Sequence, residues 1–134
     1  MNLKAQVQQE LAKAKAHLHY SYQKVLKIDL SQDADEETLE TLESFASRFA
    51  RFSDILIARY FRLLAREQDP AFRGSVIDLL NLAEKHRWIE SAETWARIRA
   101  LRNVAAHEYT TENVLAVYEE LRDLAPQLLQ VDIA

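Results

Sequence analysis

The segment Arg102-Asn103-Val104-Ala105-Ala106-His107-Glu108-Tyr109 puts a permanent cation, an imidazole and a phenol close together in the chain. An imidazole, which titrates near neutrality, suits general acid–base work on a ribose 2′-hydroxyl or a leaving 5′-oxygen. A guanidinium suits the negative charge that develops on a phosphate during such a reaction. Arg102 and His107 could together cleave RNA without a metal, although two residues do not by themselves establish that chemistry. Each also has a plain structural role open to it. Trp95, Ile98, Leu101 and Ala105 share an arc of about 120° on a helical wheel, and Arg102 falls inside it. A cation on an apolar stripe needs an ion-pair partner, a snorkelling route to water or a job, because an unpaired buried charge is costly. His107 has capping or core packing as its alternative, and Tyr109 has half-burial of its ring. On a regular helix Arg102 and His107 point about 140° apart. Either the helix ends or bends near Ala106, or a second subunit completes the site.

The elements that must position these residues are helical. Residues 3–28 carry Leu3, Val7, Leu11, Leu18, Tyr22 and Val25 at spacings of three, four and seven, which predicts a first helix. Residues 29–35 read as a loop, with Ser31 and Asp33 as N-cap candidates. A long second helix is expected over 35–68, ended by Asp69-Pro70. Ser75 caps a short helix through His86, and Ser91 opens another, with Glu93 in its first turn. Thr110-Thr111-Glu112-Asn113 separates that helix from a last one over 112–130. With no internal repeat and no dividing linker, residues 1–134 are expected to form one all-α domain. Short loops between helices predict an antiparallel bundle of about five of them.

The second helix shows two stripes when counted at the α-helical period. Leu42, Phe45, Phe49, Phe52, Leu56, Tyr60 and Leu63 fall within an arc of about 80°, the expected core face. Arg48, Arg51, Arg59, Arg62 and Arg66 fall within another arc of about 80°. A charge run of this kind is ordinarily a solvated face matched to the helix dipole. All five cations are Arg, whose fork fits phosphate oxygens, so a phosphate-tracking stripe is the sharper reading.

Taken together, these residues resemble the HEPN superfamily. Arg102 through Tyr109 is similar to its Arg-x4-His-x-Tyr signature, in which Asn commonly follows the Arg, as Asn103 does here. Upstream, Arg48-Phe49-Ala50-Arg51-Phe52-Ser53-Asp54 resembles the Arg-Phe-x4-Asp element on the second helix of the HepT-like branch. Leu79 to Lys85, then Ile89, Ser91-Ala92-Glu93 and Trp95, resemble that branch's approach to the motif. The resemblance spans roughly residues 45–110. It implies a dimeric helical bundle with a cleft where two motifs meet, and metal-independent ribonuclease activity using Arg102 and His107. Asn103 and Asp54 would support them, and Arg48 and Arg51 would contact RNA. It further implies a toxin whose partner is a minimal nucleotidyltransferase antitoxin that adds AMP to Tyr109. The alternative within the same branch is a non-catalytic, substrate-binding partner of such a nucleotidyltransferase.

Composition narrows the remaining chemistry. The chain has no cysteine, which removes disulfides, thiolate metal sites and cysteine nucleophiles. Its single Gly74 leaves no glycine-rich phosphate loop, so nucleotidyl transfer must belong to another chain. His17 and His19 diverge by about 200° on their helix, and neither a metal nor a cofactor is expected. Trp88 and Trp95 are expected in the core rather than as base-stacking platforms. The formal net charge of −4 argues against a general polyanion binder, so any RNA site must be a local basic patch. No apolar run approaches a membrane span and the N-terminus lacks a signal-type core, so a cytoplasmic protein is expected.

Overall fold

The computed structural model describes residues 2–107 and 114–133, without the side chains of 104–107. It is all-helical over those residues. α1 spans Leu3–Val25. α2 is one continuous helix over residues 36–68, made of an α-helical part Glu36–Asp54, a π-helical stretch Ile55–Phe61 and a second α-helical part Arg62–Gln68. α3 spans Val76–Lys85, α4 Ala92–His107 and α5 Val114–Leu129. Over the described residues the chain therefore forms the expected bundle of five helices.

Cross-links between helices show the direction of packing. Lys4 pairs with Glu67, Glu10 with Arg59, and the His17 carbonyl accepts from Arg48, so α1 and α2 run antiparallel along their length. Gln8 donates to the Ile133 carbonyl and Arg122 to the carbonyls of Val25 and Ile28, which sets α5 antiparallel to α1. Along α1 the buried residues Val7, Leu11, Ala14, Leu18, Ser21 and Val25 recur at alternating steps of four and three. That is one helical face against the core. Leu3, expected on this face, is exposed at the open end of the helix.

Side-chain caps decide where the helices start. Asp35, rather than Ser31 or Asp33, caps α2 by accepting from the Thr38 N–H at 2.8 Å. Ser31 is occupied elsewhere: its N–H and hydroxyl both donate to Asp29, closing a small Asx turn. Ser75 caps α3 reciprocally with Asp78, and Ser91 accepts from the Thr94 N–H at the start of α4. A Cβ on Gly74 would stand 2.7 Å from the Asp78 Cβ, which is why glycine precedes this cap. Hydrogen bonds from Thr38 hold the Asp35 carboxyl below its ordinary value, and those from Ser75 do the same for Asp78. A depressed folded-state value means stability that is present at neutral pH and lost as these carboxyls protonate. Thermal stability should therefore fall as the pH drops through and below about 4, and more shallowly in Asp35→Asn, which keeps the cap without the charge.

α3 ends in a Schellman motif, with the Trp88 N–H donating to the Ala83 carbonyl and the Arg87 N–H to that of Glu84. The left-handed residue is Arg87, at φ 61°, where glycine is usual. Arg87→Gly should raise stability by about 0.5–1 kcal/mol, measured as a higher urea midpoint at unchanged slope.

The π-helical stretch changes the core face of α2. A straight α count puts Leu63 inside and leaves Ile57 and Phe61 to the side. The structure buries Ile57 and Phe61 completely and leaves Leu63 at the margin. A π turn bonds residue i to i+5, so it takes up extra chain and rotates the helix beyond it. Phe61 is thereby seated between Trp95 and Trp88, each ring centroid 5.8 Å away. Trp95 is core, as expected, while Trp88 is half-buried and carries the His86 ring stacked at 5.2 Å. Among the described residues, no helix is long and apolar enough to cross a membrane.

Candidate functional site

Asp54 is the last residue of α2 before its π-helical stretch, and Arg102 lies on the face of α4 opposite it. The two meet in a forked ion pair. Arg102 Nε donates to Asp54 Oδ1 at 3.0 Å, and Nη2 donates to Oδ2 at 2.6 Å. Two parallel bonds fix the guanidinium plane as well as its position. The Asp54 carboxylate raises the Arg102 pKa further above its ordinary value, so the group is a permanent cation. Side-chain exposure is 26% for Arg102 and 41% for Asp54, so solvent screens the pair. Its contribution to stability is then about 1 kcal/mol or less, and its main effect is orientation. The pairing also answers the need for a partner that an Arg on an apolar stripe creates.

The fork leaves one edge of the guanidinium open. Only Nη1 remains, and its sole acceptor among the described residues is Asn103 Oδ1 at 3.3 Å. Arg102 forms part of the wall of an open cleft of about 810 Å³ between α1, α2 and the α4–α5 pair. Four basic and three acidic side chains line this cleft. Arg59 is paired with Glu10 and Arg102 with Asp54. What remains is Lys13 and Arg51 against Glu43, a net positive balance among the described residues.

The structure thus brings Arg102, Asp54, Asn103 and Arg51 to one place. Arg48 does something different. Its Nη1 donates to the Ser21 hydroxyl at 2.9 Å and to the His17 carbonyl at 3.1 Å, tying α2 to α1 beside the cleft. The rest of the arginine stripe is dispersed by its partners, Glu10 for Arg59 and the Gly74 carbonyl for Arg62. The backbone of α4 is helical through His107, but the His107 side chain lies outside the described residues, as do Tyr109 and the Thr110–Asn113 turn. Lys13 is a cleft residue that the motif spacing does not point to. Its signal in the sequence is the four-three-four spacing of Lys13, His17, Tyr20 and Lys24, which puts four groups able to meet a nucleic acid on one face of α1. Among the described residues no group of three or more His, Asp or Glu is placed to hold a metal ion.

Comparison with protein-family models, with curated proteins and with solved structures finds no match for this chain.

Proposed function

We propose that this chain is a metal-independent endoribonuclease, the toxin of a cytoplasmic pair whose antitoxin is a minimal nucleotidyltransferase. The observation that carries the reading is the forked Asp54–Arg102 pair on the cleft wall, five residues before His107 on the same helix. An Arg held by its Nε and Nη2 presents Nη1 to the cleft, where a phosphate oxygen can accept from it. His107 would take the ribose 2′-hydroxyl proton as the 2′-oxygen attacks phosphorus, or give a proton to the departing 5′-oxygen. The phosphorus–5′-oxygen bond breaks, and the products are a 2′,3′-cyclic phosphate and a 5′-hydroxyl. Arg102 stabilises the charge that builds on the phosphate between these events.

The backbone is helical from 102 to 107, and positions five apart on a regular helix lie about 140° around its axis. That supports a homodimer in which each cleft takes its second group from the partner copy, with twofold symmetry the commonest arrangement. Tyr109 stands two residues past His107, so an AMP group added there by the antitoxin would bring an anionic phosphodiester toward Arg102 and compete with RNA for it. The likeness of residues 45–110 to the HepT-like branch supplies the modifying partner.

The test is cleavage of single-stranded RNA in EDTA by the purified chain, analysed for 5′-hydroxyl ends. His107→Ala should abolish cutting while leaving the circular dichroism spectrum unchanged. Unimpaired cleavage by folded His107→Ala would overturn the mechanism. The neutral Asp54–Arg102 pair favours a second reading, a non-catalytic substrate-binding partner of the same nucleotidyltransferase. No cleavage of any RNA by the intact chain, together with a stable complex with that enzyme, would establish the second.

A further inference from the structure

The cleft around Arg102 does not end at Arg51. A second, smaller depression of about 270 Å³, lined by Ala14, His17, Arg48 and Arg51, shares Arg51 with it. Lys13 on the cleft wall, His17 in this depression, then Tyr20 and Lys24, succeed one another along α1 within an arc of about 60°. From Lys13 to Lys24 that face runs about 16 Å at the helical rise. The opposite wall is Arg48 and Arg51 of α2.

The charge along this route is only partly offset, by Glu43 on the cleft wall. Arg48 donates only to neutral acceptors, a carbonyl and a hydroxyl, and both bonds use Nη1, so its charge is not cancelled. Lys13, Lys24 and Arg51 have no carboxylate partner among the described residues. Lys4, Arg59, Arg97 and Arg102, by contrast, meet carboxylates on neighbouring helices. At the far end stands Tyr20, a ring 62% exposed, with the Lys24 ammonium 5.7 Å and the Arg48 guanidinium 5.9 Å from its centroid. A protein of net charge −4 that keeps this lane cationic, and closes it with an open aromatic ring, offers what a single nucleic-acid strand binds: phosphate-tracking cations and a stacking face.

We propose that the groove between α1 and α2 is a track for the single-stranded RNA flanking the scissile phosphate. Lys13 and Arg51 neutralise successive phosphates leaving the Arg102 cleft, and Tyr20 stacks under a base at the far end. The track rests on the RNA reading of that cleft and adds to it an extended-strand substrate. Arg48 lies under the track as a structural tie, so its replacement is not used as a test.

The experiment is fluorescence anisotropy with labelled 2′-O-methyl oligouridylates, which resist cleavage, of about 2 and about 15 nucleotides, across a salt series. The longer strand should bind at least about tenfold tighter. Lys13→Gln and Arg51→Gln should each flatten the log–log salt dependence for the longer strand by about 0.7, the loss of one phosphate contact on a single strand. Tyr20→Ala should weaken the longer strand about tenfold and leave the salt slope unchanged. A purely structural role for these exposed side chains would not alter the salt slope. If the intact chain binds both lengths equally, or if all three variants match it in affinity and slope, the track is overturned. Cleavage that persists beside such a result leaves the nuclease reading standing. Length-dependent binding with the expected slopes, but no cleavage by the intact chain, supports the track and removes the nuclease.

Discussion

Replacing Arg102 with Lys is expected to lower RNA cleavage about 100-fold or more, although the positive charge is kept. The reason lies in the fork. Asp54 holds Nε and Nη2 together, and only a planar guanidinium can satisfy both carboxylate oxygens and still present a third nitrogen to the cleft. A lysine ammonium has one nitrogen for both tasks and will sit on Asp54. Asp54→Ala should be milder, about tenfold, since it frees the guanidinium without removing it. Single-turnover cleavage in EDTA separates these effects from binding. Parental rates in folded Arg102→Lys would mean that Arg102 is only half of a structural ion pair.

The second large effect is on stability. Phe61→Ala should cost about 3–5 kcal/mol, because it empties the space between Trp88 and Trp95 in a fully buried part of the core. For a domain of this size that is a fall of roughly 10–20 °C in Tm. Leu63→Ala, at the position that a straight-helix count favours over Phe61, should cost about 1–2 kcal/mol, because its side chain is already partly in water. Thermal melts of the two variants side by side measure the difference. Equal losses would mean that the π-helical stretch does not persist in solution.

These two residues mark where the sequence stops being legible. Apolar spacing and polar punctuation place the helices to within about three residues, and the caps at Ser75 and Ser91 are readable because each stands directly before a helical run. The cap at Asp35 is not, since Ser31, Asp33 and Asp35 compete for one role and only the turn made by Asp29 decides between them. The burial of Phe61 is equally hidden, because a π turn leaves no mark in a count that assumes one period throughout. Arg102 stands out as a cation on an apolar stripe, yet nothing in spacing alone joins it to Asp54 on another helix. Arg48 and Arg51 look equivalent on the wheel. Only the packing of α1 shows that one is bound to it and the other is open to the cleft.

The π-helical stretch also bears on how this chain tolerates changes in length. Ahead of it, α2 aims Asp54 at Arg102; behind it, the same helix seats Phe61 against the tryptophans. The wide π turns absorb one extra residue within 55–61, so both orientations coexist on a continuous rod. A deletion of one residue there would leave an unbroken α-helix whose two halves keep these orientations, because the π turns had already absorbed about one residue's rotation of about 100°. Such a helix could keep both the ion pair and the aromatic cluster. A deletion elsewhere in α2, where no spare residue exists, would instead turn one half against the other by about 100° and set the cleft and the core against each other.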